Sequence, residues 1–307
     1  MSFLRFLAEY RTDSLNLFFL GITALAQEFF VIGVVCWLYW CGNKRLGRTL
    51  GFSFFASGLL VQGLKITFRI PRPWVLDPTF EPVAKAVPAA TGYSFPSGHT
   101  QSITSLFATL GFHFRKRRNR ILSYIMIFLV GMSRMYLGVH TPKDVLTSFL
   151  VSFVIAGLCY RFTYAQDPTI KDETSKKNPA KEDGCSSPMI RALLLIGASL
   201  VLLVYALVMY HRQVIELAYA ADCIKASGAG IAFGIGYYIE ETRIHFTVPP
   251  TWKAKILRFL LGVIIAVLLL EGIKPIVGTS LAASFFRYFI AVLWVVALYP
   301  AVFNRIK

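Results

Sequence analysis

Charged residues are scarce in this chain of 307 residues, making up only 16% of the sequence against 56% for hydrophobic residues. A soluble protein of this length needs a larger charged surface, so the deficit excludes an ordinary soluble domain. Cysteine is also scarce: the five cysteines are scattered, mostly in apolar segments, which argues against a disulfide framework and a zinc site. The N-terminal segment lacks a long apolar stretch followed by a small-residue cleavage site, so we do not expect a removable signal peptide.

The charge that is present is mostly positive, with a formal net charge of +16. A strongly basic chain is typical of nucleic-acid-binding proteins. Here the lysines and arginines lie between hydrophobic runs, where their usual role is to orient a protein in the membrane. Because no nucleic-acid-binding motif accompanies them, we expect no nucleic-acid partner.

Apolar runs of about 17–25 residues predict an all-α fold, a polytopic helical membrane protein with about nine transmembrane helices. The predicted spans are residues 25–41, 49–68, 98–114, 120–138, 144–163, 190–210, 223–239, 255–273 and 284–303. A shorter helix in residues 1–24 is expected at the membrane interface, because charged side chains interrupt its apolar positions. The polar stretch 165–188 predicts a flexible cytoplasmic linker, which separates a membrane core (25–164) from a C-terminal four-helix membrane extension (189–307).

Lysine and arginine are distributed unevenly between the two sets of loops. One set holds most of them, at Lys44, Arg45, Arg48, Arg115–Arg118, Arg120, Lys171, Lys176, Lys177, Lys181, Arg243, Lys253 and Lys255. The richer set is expected in the cytoplasm, which places the N-terminus outside and the C-terminus inside. The chain is therefore predicted to be a multi-pass cell-membrane protein whose three polar motifs, described next, lie on the extracytoplasmic side.

The first motif runs from Lys65 to Pro73. Lys65 lies near the end of an apolar helix, where a buried cation needs a partner. Pro71 and Pro73 end this helix and hold Arg72 in an extended or turn segment beside it. The planar guanidinium of Arg72 suits two phosphate oxygens, and Lys65 adds a point charge. The alternative is a pair of cations that snorkel to the interface and anchor the helix.

The second motif, Pro96–His99, stands directly before a long apolar run. Ser97 is a natural N-cap, and Gly98 lets a ligand approach the backbone closely. The free N–H groups at the helix start favour an anion. His99, in the first turn, is placed to protonate a departing oxygen. An ordinary capped helix with an interfacial histidine is the alternative.

The third motif, Ser133–Asp144, spans a helix end, a tight turn and the start of the next helix. Thr141 is the predicted N-cap, and Asp144 lies in the first turn, within reach of the His140 ring. Such an aspartate stabilises an imidazolium and leaves the other ring nitrogen free to attack phosphorus. Arg134 adds a third cation for the phosphoryl oxygens. Alone, Asp144 could equally be a simple helix-start carboxylate.

Together, three cations, a helix N-terminus, two histidines and an aspartate are expected at one membrane face. Phosphoryl transfer requires mainly charge stabilisation and positioning, which this set supplies. Outer-face carboxylates such as Asp77 and Glu81 lack matching partners, so we expect neither a metal ion nor another cofactor. The residues favour a metal-independent route through a phosphohistidine, acting on a lipid phosphate at the bilayer surface.

Three signatures carried by these motifs, K-x6-R-P, P-S-G-H and S-R-x5-H-x3-D, occur in order and without substitution. The sequence thereby resembles the type-2 phosphatidic acid phosphatase superfamily of integral membrane lipid phosphatases over roughly residues 15–165. The resemblance implies the helical core of that family, with His140 as nucleophile, Asp144 as its partner and His99 as general acid. It also implies a phosphate site formed by Lys65, Arg72, Ser97, Gly98 and Arg134. Vanadium haloperoxidases share the motifs but are soluble, so the apolar spans argue against them.

The C-terminal extension departs from the minimal family pattern and resembles the layout of sphingosine-1-phosphate phosphatases. Four glycines predict close helix packing, either within the bundle or across a homodimer seam: Gly228, Gly230, Gly234 and Gly236. Charges near the span ends are expected to be interfacial anchors: Asp222, Lys225, Glu240, Glu241, Glu271 and Lys274. A lipid-transport path using Glu271 or Lys274 is the alternative. Glu28, near the outer end of the first span, is a candidate headgroup contact.

The expected activity is hydrolysis of the terminal phosphate of a lipid phosphomonoester or diphosphate, with a phospholipid or isoprenoid phosphate as substrate. Undecaprenyl diphosphate, phosphatidylglycerophosphate, phosphatidic acid and sphingosine-1-phosphate all present such a group, and the motifs do not distinguish them. The alternative is a catalytically inactive relative that acts as a lipid transporter or scramblase. The complete set of reactive side chains favours the enzyme.

Overall fold

The computed structural model describes residues 1–165 and 187–305, and these form helices and loops without a β-strand. The front part contains α1 (Ser2–Glu9), α2 (Asp13–Ala24), α3 (Glu28–Cys41), α4 (Lys44–Phe68), α5 (Pro73–Leu76), α6 (Gly98–His113), α7 (Arg117–Tyr136) and α8 (Pro142–Cys159). The part from residue 187 onwards contains α9 (Pro188–His211), α10 (Leu217–Ile239), α11 (Trp252–Val267), α12 (Lys274–Val277), α13 (Leu281–Leu293) and α14 (Tyr299–Arg305). The predicted all-α fold is confirmed, while the predicted linker falls almost entirely outside the described residues.

Each of the nine predicted spans coincides with a helix, but the count of nine transmembrane helices is not confirmed. Among the described residues, five helices are long and apolar enough to cross a membrane, and α2 with α3, bent by 43°, make a sixth if they count as one span. Helix α6 falls short because it has only 16 residues, and α7 carries four arginines. The predicted interfacial segment 1–24 forms two helices, α1 and α2, rather than one.

Local sequence sets the helix ends on which the motifs lie. Helix α4 stops because Arg69 takes the left-handed conformation, with φ at 50°, and Pro71 cannot continue a helix. Helix α6 starts under the side-chain cap of Ser97. Helix α8 starts under a capping box formed by Thr141 and Asp144. The three ends therefore lie where the sequence predicted them.

Helix α10 lies at the centre of the C-terminal extension and packs against α4 of the core as well as α9 and α13. Phe233 of α10 meets Phe52 of α4 edge to face, with ring centroids 5.1 Å apart. On another side a Cβ at Gly228 would lie 2.8 Å from the carbonyl oxygen of Phe285, so only glycine permits this approach. The remaining glycines also face helices of this chain: Gly230, Gly234 and Gly236. The glycine run thus packs within the bundle, and the homodimer stays a prediction.

Glu240 is fully buried, which corrects the expectation that it anchors a span at the interface. It forms an ion pair with Lys44 at the start of α4, and its carboxylate accepts a hydrogen bond from the backbone N–H of Phe246 at 3.3 Å. Lys44 also donates to the carbonyl oxygen of Phe246 at 3.0 Å. A carboxylate removed from water needs such partners, so these contacts tie the end of α10 to the start of α4.

Replacing Glu240 with alanine is expected to lower the free energy of unfolding by about 3–5 kcal/mol, because it leaves the Lys44 ammonium largely buried without its counter-charge. Thermal unfolding in detergent measures the change. Glu241→Ala is the matched control, since Glu241 is the next residue, pairs with Arg48 and is 31% exposed. That control should cost no more than about 1 kcal/mol, and equal losses in the two variants would contradict the assignment.

Candidate active site

Arg72 connects the first motif to the third. It lies in extended backbone (φ −69°, ψ 155°) as the N-cap of α5, and its guanidinium is 2.9 Å from Nε2 of His140. The same group donates to the carbonyl oxygens of Val139 and Gly92, each at 3.0 Å, and to that of Thr91. A guanidinium can only donate, so Nε2 of His140 must accept and is the ring nitrogen without a proton. The proton of the neutral ring then lies on Nδ1.

Asp144 lies on the Nδ1 side of that ring, where the motif spacing predicted it. Its Oδ2 atom is 3.5 Å from Nδ1 of His140. The carboxylate is held in place by Ser94, whose hydroxyl donates to Oδ2 at 2.6 Å, and by the backbone N–H of Thr141 at 2.8 Å. Both His140 and Asp144 are 1% exposed. The carboxylate is therefore fixed beside the ring nitrogen that would become positive during attack.

Burial and nearby cations keep the His140 ring neutral. Burial lowers the pKa of His140 well below its ordinary value, and the charges of Arg72, Arg134 and Lys65 lower this pKa further. A neutral imidazole at neutral pH is the nucleophilic form. The ring is therefore in the protonation state and the tautomer needed for attack through Nε2.

Arg134 is a buried cation whose hydrogen-bonding capacity is mostly unused. Its side chain is 0% exposed, and Nη1 donates to the hydroxyl of Thr23 at 2.8 Å. Neither Nε nor Nη2 has an acceptor among the described residues. Burying a cation without a counter-charge is costly, so the two free donors indicate that an anion binds here.

The N-terminus of α6 lies at the same place. Ser97 accepts a hydrogen bond from the hydroxyl of Thr100 at 3.0 Å, and its backbone N–H donates to the carbonyl oxygen of Asp144 at 3.2 Å. Lys65, only 9% exposed, directs its ammonium to within 3.9 Å of the point where a Gly98 side chain would begin. Because Gly98 has no side chain, an anion can reach both the ammonium and the N-terminus of α6.

His99 lies at the wall of a cavity of about 490 Å³. Its Nε2 atom has no hydrogen-bond partner in the described part of the chain. Arg134, His140, Lys65 and Arg72 all lie close enough to act electrostatically on its ring. The cavity continues away from His99 toward Glu28, which the sequence singled out as a headgroup contact, and toward Asp222 and Lys225, which therefore line a cavity as well as lying near a span end.

All eight predicted site residues thus meet at one place in the fold, and the supporting residues are those that sequence reasoning missed. Ser94 holds Asp144, Thr23 holds Arg134, and the carbonyl oxygens of Thr91 and Gly92 hold Arg72. Ser94 lies just before the second motif, so its position was a usable signal. Thr23 lies far from every motif, and nothing in its local sequence marks it. Within residues 1–165 and 187–305, no group of three or more histidine, cysteine, aspartate or glutamate side chains is arranged to hold a metal ion.

Two family descriptions match this chain. The PAP2 superfamily description matches residues 46–168. PAP2 abbreviates type-2 phosphatidic acid phosphatase. A second, described as PAP2 superfamily phosphatase, transmembrane extension, matches residues 224–307. The first range contains every predicted site residue, and the second covers most of the C-terminal extension.

Individual proteins are similar over different shares of their length. Undecaprenyl-diphosphatase BcrC of Bacillus subtilis is 30% identical over 154 residues, which cover 49% of this chain and 75% of that protein. Sphingosine-1-phosphate phosphatase 1 of Mus musculus is 28% identical over 279 residues, covering 85% of this chain and 60% of that protein. The crystal structure of a transmembrane PAP2-type phosphatidylglycerolphosphate phosphatase from Bacillus subtilis is 23% identical, with a TM-score of 0.47, and covers 54% of this chain and 85% of that one.

Proposed function

The chain belongs to the PAP2 superfamily, as its three motifs predicted, and we propose that it hydrolyses the terminal phosphate of a membrane lipid through a phosphohistidine. Membership of this family of integral membrane lipid phosphatases makes the chain a hydrolase that acts on lipid phosphates. The lipid substrate, the covalent intermediate and the side of the membrane are the proposed parts. Each is supported by particular residues of the site.

One observation carries the proposal: a neutral, oriented imidazole lies among three buried cations, Lys65, Arg72 and Arg134, none of which forms an ion pair with a carboxylate in the part of the chain that the structure describes. Nε2 of His140 is directed at Arg72, while Asp144 lies at the opposite ring nitrogen. Arg134 keeps two buried donors without an acceptor among the described residues. A phosphate placed between these cations would satisfy the free donors and bring phosphorus next to the nucleophile.

The proposed reaction has two displacement steps at phosphorus. The electron pair on Nε2 of His140 forms a bond to phosphorus as the bond to the ester oxygen breaks. His99, which enters the cycle as the imidazolium beside the negatively charged phosphate, donates its proton to that oxygen and releases the alcohol. Asp144 stabilises the positive charge that the His140 ring gains. Water then attacks the phosphohistidine, His99 takes a proton from that water, and inorganic phosphate leaves as His140 is restored. The cations stabilise the charge on the phosphoryl oxygens in both steps.

The outer face of the membrane is the proposed location of the site. The motifs lie at the end of α4 and the start of α6, opposite the loops that carry most of the lysines and arginines. Those basic loops are expected in the cytoplasm. A membrane-impermeant phosphate-ester substrate should therefore be hydrolysed by intact, sealed cells that express the protein.

A side-by-side phosphate-release assay tests the proposed function and ranks its substrates. The relatives are named for undecaprenyl diphosphate, sphingosine-1-phosphate and phosphatidylglycerophosphate, and phosphatidic acid completes the set. Purified protein in mixed micelles should release phosphate from at least one of the four lipids, with a His140→Ala variant as the blank. No release above that blank from any of the four would contradict the proposal.

Removing metal ions with a chelator is expected to change the rate of phosphate release by less than about twofold, because the charge on the phosphate is met by cationic side chains. The measurement compares initial rates before and after EDTA treatment, with added magnesium as the reversal control. A strong loss of activity that magnesium restores would show that a divalent ion takes part.

A further inference from the structure

The cavity beside His99 is partly walled by the C-terminal extension. Asp222 and Lys225 reach it from α10, and Tyr288 reaches it from α13. Glu28, at the start of α3, completes the charged part of the wall. The extension therefore contributes side chains to the space that a substrate bound at His99 would enter.

Asp222 is oriented so that one carboxylate oxygen is occupied and the other is open. Its Oδ1 atom pairs with Lys225 at 3.0 Å. Its Oδ2 atom lies 3.9 Å from the point where a Gly92 side chain would begin, and the ammonium of Lys65 lies 3.8 Å from the same point. The open oxygen of Asp222 thus lies near the ammonium of Lys65, on the side of the phosphate site where the cavity is. Glycine at position 92, with φ at 69°, leaves this space clear.

Glu28 brings a second open carboxylate to the cavity. Among the described residues it makes neither a hydrogen bond nor an ion pair, and its electrostatic neighbours include Lys225 and Asp222. The charged side chains that line the cavity are Glu28, Asp222 and Lys225, so two carboxylates face one ammonium. Two carboxylates beside one ammonium leave a surplus negative charge, which an ammonium group entering the cavity would balance.

We propose that Glu28 and Asp222 form a subsite for a primary ammonium group of the substrate, so that this protein prefers lipid phosphates with an amine near the phosphate ester. This inference rests on the proposed phosphatase function. The ammonium would bind the open oxygen of Asp222 and the carboxylate of Glu28 while the phosphate binds beside Lys65. A second phosphate group would instead meet a surplus of negative charge, so the lining disfavours diphosphates at this position.

Two lipids that differ only in the amine test the subsite: 2-aminooctadecyl phosphate and octadecyl phosphate, each in mixed micelles. The measured quantity is the ratio of kcat/KM between the amine-bearing and the amine-free lipid. In the unaltered protein this ratio should be at least about 10, the effect of a hydrogen-bonded charge pair. Glu28→Gln and Asp222→Asn should each lower the ratio at least about threefold, and the double variant should bring it close to one.

Glu216→Gln is the matched control, because Glu216 is an exposed carboxylate at the start of the same helix, α10, and does not line the cavity. It should keep the ratio of the unaltered protein. Thermal unfolding verifies that each variant is folded. If Asp222→Asn also displaces Lys225, the ratio measured with Glu28→Gln still tests the subsite. Equal turnover of both lipids by the unaltered protein, or a ratio that neither variant changes, would overturn the subsite. If the protein hydrolysed neither these two lipids nor any of the four lipids assayed above, the proposed function itself would be overturned.

Discussion

Replacing His140 with alanine is expected to reduce phosphate release from every lipid substrate by at least about 10⁴-fold, because the attacking atom is lost. The geometry supports this role: Nε2 of His140 is the ring nitrogen that faces Arg72, and Asp144 is oriented to the other nitrogen of the same ring. The variant should also fail to become labelled. After a brief reaction with a ³²P-labelled substrate, only the unaltered protein should carry acid-labile phosphate.

The control for this variant is His113→Ala, which removes a histidine at the far end of α6 from the site. It should keep both turnover and labelling. Residual turnover by His140→Ala comparable with that of the unaltered protein would contradict the assigned nucleophile. A double variant, His140→Ala with His99→Ala, separates the enzyme from an inactive lipid transporter, since lipid movement that survives loss of both histidines would favour the transporter.

The second large effect is expected at His99, whose replacement by alanine should slow hydrolysis of an alkyl phosphate by about 10²- to 10⁴-fold. An alkoxide is a poor leaving group and needs a proton as the ester bond breaks. A nitrophenolate leaves without one, so the loss on p-nitrophenyl phosphate should be smaller by at least about tenfold. The free Nε2 atom of His99 at the cavity wall is placed to supply that proton.

The comparison of the two substrates distinguishes proton donation from a general disturbance of the site. Thr100→Ala serves as the control, because Thr100 neighbours His99 but its hydroxyl donates to Ser97, away from the leaving group. It should affect both substrates by the same factor. Equal losses on both substrates in His99→Ala would argue that His99 positions the phosphate and donates no proton.

The site was predictable from sequence where the chemistry is local. Pro71 and Pro73 were predicted to end α4; the helix ends before Pro71, at a left-handed Arg69, while Pro73 begins α5. Thr141 with Asp144 caps α8 as predicted, so short-range signals placed the reactive side chains near these helix ends. Four-residue spacing also predicted that Asp144 would reach the ring of His140, and the two are 3.5 Å apart. Local backbone rules were sufficient to place Asp144 near His140, whereas Ser94 and Arg72, which hold the pair in position, come from distant parts of the chain.

Long-range contacts set the limit of prediction. Thr23 is 111 residues away from the Arg134 guanidinium to which it is hydrogen-bonded, and nothing in its own segment marks it. Glu240 looked like an interfacial anchor because it lies at a span end, yet its partner Lys44 at the start of a distant helix allows it to be buried. A charged residue at a helix end does not reveal whether a neighbouring helix supplies a counter-charge. Whether such a residue is buried or exposed is therefore known only from the structure.

The count of spans shows a further limit. Hydropathy counts apolar residues, whereas α6 has buried serine and threonine side chains that form hydrogen bonds inside the bundle. The hydroxyl groups of Ser57 and Ser105 are 2.7 Å apart, and Gln101 donates to Ser57 at 2.8 Å. A helix surrounded by other helices can satisfy polar groups without facing lipid, so an apolar run in the sequence does not by itself show whether such a helix crosses the membrane.

Helix α10 packs closely against α4, so the segment 224–307 contacts the segment 46–168 that contains the site residues. Because α10 contributes Asp222, Lys225, Ala226 and Ala229 to the cavity beside His99, a fragment that ended before α10 would lose that wall. Core and extension are therefore expected to assemble as one obligate unit. Substitutions in α10 would change which lipids the protein accepts while leaving every proposed catalytic residue unchanged.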